Sequence, residues 1–509
     1  MARKPKGVEV PSIGTLDRAL GNLGRQLAQA LRDAIRRGDL KPGELLPSTR
    51  TLGASLHVAR GTVVEAFEQL IAEGFLQSHP GAGTRVAQSL TPPADVRGRS
   101  SCVETAPLSE RIRLFAELGR QFAAVPQAPF AVSVPVGPAA PDDVWRRLGN
   151  RLRARGPGAP AGYGDPQGAR ALREAVADYV RKSRSVRCEA EQVIITSGTQ
   201  QGLYLSCQVL LDVDESAWVE DPAYRGITAI LESTGRPERM VRVPVDAEGL
   251  NVDAGIKLCP HARAAFVTSS HQYPLGMPLS MARRNALLTW ARSNNGWVVE
   301  DDYDSELRYA GHPFPSLQGL DPDRVIYLGT FSKILFPSLR LGYAVVPENL
   351  VDAFCGARVL MDRNPPNADQ HVLAAFIGEG HLDRHIRRIR GVYADRRARI
   401  IETIERFLPK EVAWLQPSDQ GMHLVLWLGG GVDDRLVASL AAESGVVVRA
   451  VSPMYSGGKG PMGLILGLGG FTDDEIDIAT QRLATSIVAV AKGAHSDLAH
   501  SPRKKAALK

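Results

Sequence analysis

The stretch GTFSKILFPSLRLGY (329–343) sets Lys333 among Phe331, Ile334, Leu335 and Phe336, with Arg340 seven positions on. An ammonium beside that much apolar surface finds an acid or gives up its proton. A neutral lysine attacks carbonyls, so Lys333 is a candidate anchor for an aldehyde. Five short runs, the last overlapping this one, end in residues able to do chemistry. VIITSGTQQG (193–202) leads a strand into a turn of small residues and then a helix, offering amides and hydroxyls to a phosphate. WVEDPAYRG (218–226) ends on Tyr224, and AFVTSSHQYPLG (265–276) ends in a Pro-Gly turn. WVVEDDYDSE (297–306) supplies acids and Tyr303, and RVIYLGTFSK (324–333) supplies Thr330, Ser332 and Lys333.

From about 128 to 490 short β-branched strands alternate with helical stretches, which predicts an α/β domain. Ligands of open α/β sheets bind at the carboxyl ends of the strands, where these residues would gather. The chemistry that needs such a set is pyridoxal phosphate binding. Its aldehyde takes a lysine, its pyridinium nitrogen a carboxylate, and its phosphate amides, hydroxyls and a forked arginine. An aromatic face stacks on the ring and keeps water out. Asp301 and Asp302 offer two registers for the carboxylate.

A different chemistry precedes this domain. Leu16, Leu20, Leu23, Leu27, Leu31 and Ile35 form one apolar helical face that Gly38 ends. Ser48 caps a short helix carrying Leu52 and Leu56. A third helix, about 60–73, places Val63, Phe67, Leu70 and Ile71 inward and ends at Gly74. FLQSHPGAGTRVA adds two strands around a glycine tip. Two short helices and such a wing can set a helix in the major groove. The run LPSTRTLGASLHVARGTVVEAFEQLIAEGFL…GAGTRV resembles the winged helix-turn-helix of GntR-type regulators. That resemblance implies that Arg50, Arg60 and Thr62 face double-stranded DNA, with Ser48, Thr49 and the Gly81–Thr84 tip, including Gly83, touching backbone or minor groove. Ala59 stands where a serine cap is usual, which weakens the start of the recognition helix.

Residues 128–490 resemble a fold-type-I aminotransferase with a large domain and a smaller C-terminal subdomain. With the α+β winged helix in front, the chain is similar to MocR/GabR-type regulators. The resemblance implies that Lys333 anchors the cofactor, Asp301 meets the pyridine nitrogen, Tyr303 bonds the ring oxygen and Tyr224 stacks. It also implies that Gly198, Thr199, Gln200, Thr330 and Arg340 hold the phosphate. Tyr163, in GYGDPQG, would reach the phosphate of the partner subunit of a homodimer. The organisation read this way is 14–88 for the winged helix, 89–127 for a linker, 128–490 for the cofactor domain and 491–509 for a disordered basic tail. The linker's length permits the DNA module to reach the partner subunit.

Two departures bear on function. HQYPLG carries Tyr273 where aminotransferases place an asparagine that supports the ring oxygen; His271 or Gln272 could take over. In GLILGLGGFTDDEI, Ile465 stands where an arginine usually clamps the substrate carboxylate, a pair worth about 1.5–3 kcal/mol. Arg225 and Arg449 could substitute. The loss argues against efficient turnover of ordinary amino acids. We read the domain as one kept to sense a small effector, either the cofactor itself or an amine or amino acid. A working aminotransferase with a fused DNA module and a regulator that has lost the cofactor are the alternatives.

Bulk properties agree. The 509 residues exceed one core, and the net charge of +6 permits a nucleic-acid partner. Residues 1–90 hold twelve Lys/Arg against eight Asp/Glu, so most of the excess lies in the first segment. Five cysteines without metal spacing and no long apolar run predict a cytoplasmic protein with reduced thiols and no membrane span. The arginine-dense HLDRHIRRIRGVYADRRARI (381–400) reads as a solvated helix. Its His381 and His385 lack an acidic third ligand, so no metal is expected there. His57 and His79 are read as exposed.

Overall fold

The computed structural model describes residues 16–500 apart from 80, 89–108, 123–125, 137–140, 156–161, 235–236, 312–313 and 471. The expected N-terminal arm, most of the linker, Cys102 and residues 501–509 lie outside the described residues. The chain divides into two compact units, Met1–Leu108 and Ser109–Lys509.

In the first unit helices α1 (Leu23–Arg37), α2 (Thr49–Ser55) and α3 (Arg60–Ala72) pack on strands β1 (Leu76–His79) and β2 (Gly83–Val86). The predicted apolar face begins two turns too early, at Leu16. Gly21 and Asn22 have left-handed backbones (φ 65° and 50°), so α1 starts at Leu23 and Leu20 is 77% exposed. Gly38 ends α1 at φ 81°. Ser48 caps α2 by accepting from the Thr51 amide at 3.2 Å, whereas Ala59 gives α3 no side-chain cap. Leu27, Leu31, Leu52, Val63, Phe67 and Leu70 close the core, while Ile71, expected inside, is 37% exposed. The wing pairs Leu76 with Val86 and His79 with Gly83. A side chain at Gly83 would meet Leu45 at 2.9 Å, which favours glycine at that tip.

The second unit holds two sheets. The larger contains β3 (Val193–Thr196), β4 (Ala217–Asp221), β5 (Met240–Asp246), β6 (Gly249–Leu250), β7 (Ala264–Val267), β8 (Trp297–Asp302), β9 (Val325–Thr330) and β10 (Gly342–Val345), in the order 3-10-9-8-7-4-5-6. Strands 9, 8, 7, 4 and 5 pair in parallel, and β10 is antiparallel to both β9 and β3. The carboxyl ends of β3, β4, β7, β8 and β9 therefore open on one edge. The central strands are buried throughout, as parallel strands covered on both faces must be. The smaller sheet is antiparallel, with β11 (Ala413–Leu415), β12 (His423–Leu428), β13 (Arg449–Ala450) and β14 (Gly463–Gly467) in the order 11-12-14-13.

Three sequence expectations are corrected here. Within the expected linker, Glu110–Gln121 is helical, and Ser109 caps it at the Ile112 amide. Residues 491–500, expected to be a disordered tail, end the helix Ile476–His500. The helix His381–Phe407 is more than a solvated element: Leu382, His385, Ile386, Ile389, Tyr393 and Ile400 are buried along one stripe. His385 Nε2 lies 2.6 Å from the carbonyl of Ile334, the residue after Lys333.

Candidate functional site

The parallel strands bring their chemistry to one cleft of about 80 Å³, lined by Ser133, Thr199, Tyr224, Thr268, Tyr273, Asp301, Tyr303, Lys333 and Arg449. Lys333 is half-buried, and burial draws its ammonium down to about 8 against the pull of Asp304 and Asp301. Asp301 is buried, and burial with the neighbouring Asp302 pushes its carboxyl up to about 7. Asp301 Oδ1 is buried and, among the described residues, has no hydrogen-bond partner.

The pleat of β8 resolves the two registers. Asp301 faces the cleft. Asp302 accepts from Arg184 Nε at 2.8 Å and from the Tyr327 hydroxyl at 2.7 Å, both within the core. Glu300 is likewise engaged, by the amides of Leu317 and Gln318 and by the Ser269 hydroxyl. One of the three acids is left for a ligand.

Tyr224 and Tyr303 flank Tyr273 with rings nearly perpendicular to it, at 5.8 and 6.1 Å. The Tyr303 hydroxyl lies 3.1 Å from Nδ1 of His271, and that nitrogen lies 2.9 Å from Asp304 Oδ2. Gln272 is held away from the cleft by Pro222 and Glu220, so of the two proposed stand-ins for asparagine only His271 touches Tyr303.

At the other end, Gly198 (φ 85°) precedes the helix Thr199–Leu210, whose free amides favour an anion. Arg340 donates to the Ser197 carbonyl at 2.7 Å, and a side chain at Gly198 would meet its guanidinium at 3.4 Å. Thr330 Oγ1 accepts from the Ser332 amide at 3.2 Å, which engages the hydroxyl locally. Among the described residues the buried Ser332 hydroxyl and Gln200 Oε1 have no hydrogen-bond partner. Ser332, named at the strand end but given no role there, stands next to Lys333. Tyr163 is not brought into the cleft. It is 78% exposed, with the Arg363 guanidinium 3.8 Å over its ring.

Of the arginines offered in place of the missing clamp, Arg225 is committed elsewhere. It pairs with Glu232 at 2.8 Å and bonds Thr228 and Gln121. Arg449 lines the cleft.

In the first unit Ser48, Arg50, Arg60 and Gly83 are exposed and Thr49 and Thr62 half-buried, along α2, the start of α3 and the wing.

Comparison with known proteins fits this architecture. Residues 23–86 match the bacterial regulatory proteins of the gntR family, and residues 135–483 match aminotransferase class I and II. The chain is 38% identical to the "Probable rhizopine catabolism regulatory protein MocR" of Rhizobium meliloti, over 88% of this chain and 90% of that one. It is 33% identical to the pyridoxine biosynthesis transcriptional regulator PdxR of Corynebacterium glutamicum, over 89% and 93%. The chain belongs to the MocR-type transcriptional regulators. As a MocR-type regulator it joins a DNA-binding winged helix to an aminotransferase-like domain. The latter is similar in structure to LysN, an α-aminoadipate aminotransferase of Thermus thermophilus complexed with N-(5'-phosphopyridoxyl)-L-leucine. The TM-score is 0.66, with 26% identity over 75% of this chain and 96% of that one. No helix among the described residues of this MocR-type chain is long and apolar enough to cross a membrane.

Proposed function

We propose that this regulator holds pyridoxal 5'-phosphate in the cleft and couples occupancy of that cleft by a small effector to operator binding. The observation that carries the reading is the buried, unpartnered Asp301 Oδ1 in one cleft with the softened amine of Lys333. A carboxylate left orphaned in the interior costs stability unless a ligand donor meets it.

When bound, the cofactor supplies an aldehyde open to primary amines and a ring that withdraws electrons. The chain's residues do the rest. Lys333 anchors the aldehyde, and its lowered proton affinity keeps part of the amine neutral near pH 7. Asp301 holds the proton at the pyridine nitrogen, and that positive partner would bring its raised carboxyl back toward the ionised state. Tyr224 covers a ring face, and Tyr303, steadied by His271 and Asp304, orients a proton at the ring oxygen. Gly198, Thr199, Gln200, Thr330 and Arg340 serve the phosphate, and the free Ser332 hydroxyl is a further donor.

The regulator acts as a cytoplasmic homodimer in this reading, with the exposed Tyr163 contributing to the partner's phosphate site. On DNA, Arg50 and Arg60 meet phosphates or guanine edges, while Ser48, Thr49, Thr62 and Gly83 fix register. An effector moves operator binding only through different affinities for two arrangements of the protein.

The test is spectroscopic and titrimetric. Full-length protein incubated with pyridoxal phosphate and dialysed should keep stoichiometric cofactor with visible absorbance, and Lys333→Ala should lose that absorbance. Equal absorbance in the variant would sink the reading.

A further inference from the structure

The two departures from the aminotransferase pattern, Tyr273 and Ile465, meet in space. Ile465 on β14 is fully buried with Val132, Tyr273, Leu275, Val425 and Val451. Its partner in the sheet register is Arg449 on β13. Arg449 Nη1 donates to the Tyr273 hydroxyl at 2.9 Å. Tyr273 is itself buried, wedged between Tyr224 and Tyr303. A guanidinium therefore stands one strand sideways from Ile465, and Tyr273 holds it at the cleft.

We propose that Arg449 and Tyr273 form a relocated anion clamp, and that the effector is a small primary amine bearing one carboxylate. The inference rests on the cofactor reading above, because the amine must be met at Lys333.

Three observations support it. Among the described residues Arg449 pairs with no carboxylate, and its side chain stays open to solvent at the cleft. Its charge is felt within the site, where it helps to lower the Lys333 ammonium. Of the other arginines, Arg225 is paired with Glu232, and Arg340 lies at the opposite end, beside Ser197 and Gly198.

The chemistry narrows the ligand. One guanidinium fork with a neutral hydroxyl beside it matches the two oxygens and single charge of a carboxylate, whereas a dianionic phosphate would ask for a second cation.

The experiment uses the full chain loaded with pyridoxal phosphate, with cofactor occupancy measured first. The standard L-amino acids and β-alanine are titrated by change in visible absorbance, each beside the amine that remains when its carboxylate is removed. Wild type should favour at least one acid over its matched amine. R449Q should weaken that acid by about 10- to 100-fold, the range for losing a charge-assisted hydrogen bond, and leave the matched amine unchanged. Y273F keeps the ring and removes the hydroxyl, so it should weaken the same acid by about 2- to 10-fold.

Loaded wild type that binds no acid better than its amine would overturn the clamp alone. So would R449Q that loads normally and keeps full affinity, or Y273F that does so if R449Q fails to fold. Wild type that retains no cofactor would overturn the cofactor reading and the clamp with it.

Discussion

The winged unit and the cleft use charge in opposite ways. Arg50 and Arg60 stand in solvent at helix starts, and among the described residues neither is in an ion pair. At the cleft, Asp301 is buried and Lys333 half-buried, and burial moves the proton affinity of each toward neutrality. Exposed cations act through counterions and phosphates, so salt controls them. Enclosed groups act through desolvation, so pH controls them. The same chain thus carries one site tuned by ionic strength and one tuned by protonation.

The strongest break of this comparison is at Lys333. Lys333→Ala should abolish covalent retention of pyridoxal phosphate while leaving the salt slope of binding to duplex DNA unchanged; absorbance after dialysis and a salt titration check both. In wild type, the rate of cofactor capture should rise with pH and level off above about 8, because the neutral amine is the reactive form. A plateau near the ordinary lysine range would contradict the desolvated environment.

Next in size is the buried pair behind the cleft. Asp302→Ala leaves the Arg184 guanidinium without its carboxylate and should cost about 3–5 kcal/mol in urea unfolding. Asp301→Ala removes a carboxylate whose Oδ1 has no hydrogen-bond partner among the described residues, and should cost the apoprotein far less while lowering cofactor affinity. Equal costs for the two neighbours would undo the assignment of one to the core and the other to a ligand.

On the winged unit, Arg60→Ala should reduce the slope of log affinity against log salt by about 1 and weaken binding to all duplexes alike, if it meets phosphate. A loss confined to one sequence would make it a base reader instead. The smallest expected effect is Ser48→Ala, which removes the α2 cap and should lower stability by about 1 kcal/mol, read by thermal melting.

Much of the winged unit was legible because its signals are local. Ser48, Gly38 and the glycine tip each act within a few residues of themselves. The early start drawn for α1 failed for a local reason too: leucine spacing continued through Gly21 and Asn22, but their left-handed backbones do not continue a helix. Lys333, Asp301 and Tyr224 were legible as strand ends, since the carboxyl edge of a parallel sheet is a rule of topology rather than of contact. Arg449 could be named only as one of two substitutes. Nothing in its own neighbourhood of sequence shows that a two-residue strand lays it against Ile465 and Tyr273.

The sequence by itself marked the two sites of this protein, a winged helix with an arginine at each of two helix starts and a lysine among strand-end hydroxyls and acids, because residue type and short spacing define them. The tertiary structure alone decided which charges are free. Asp301 and Asp302 are adjacent and identical in kind, yet the pleat sends one to an open cleft and the other to Arg184. Arg225 and Arg449 are equal as residues, yet Glu232 occupies one while Tyr273 presents the other to the cleft. Glu232 is seven residues from Arg225, but Asp302 meets Arg184 across 118 residues and Arg449 meets Tyr273 across 176, and only the packed fold brings those partners near.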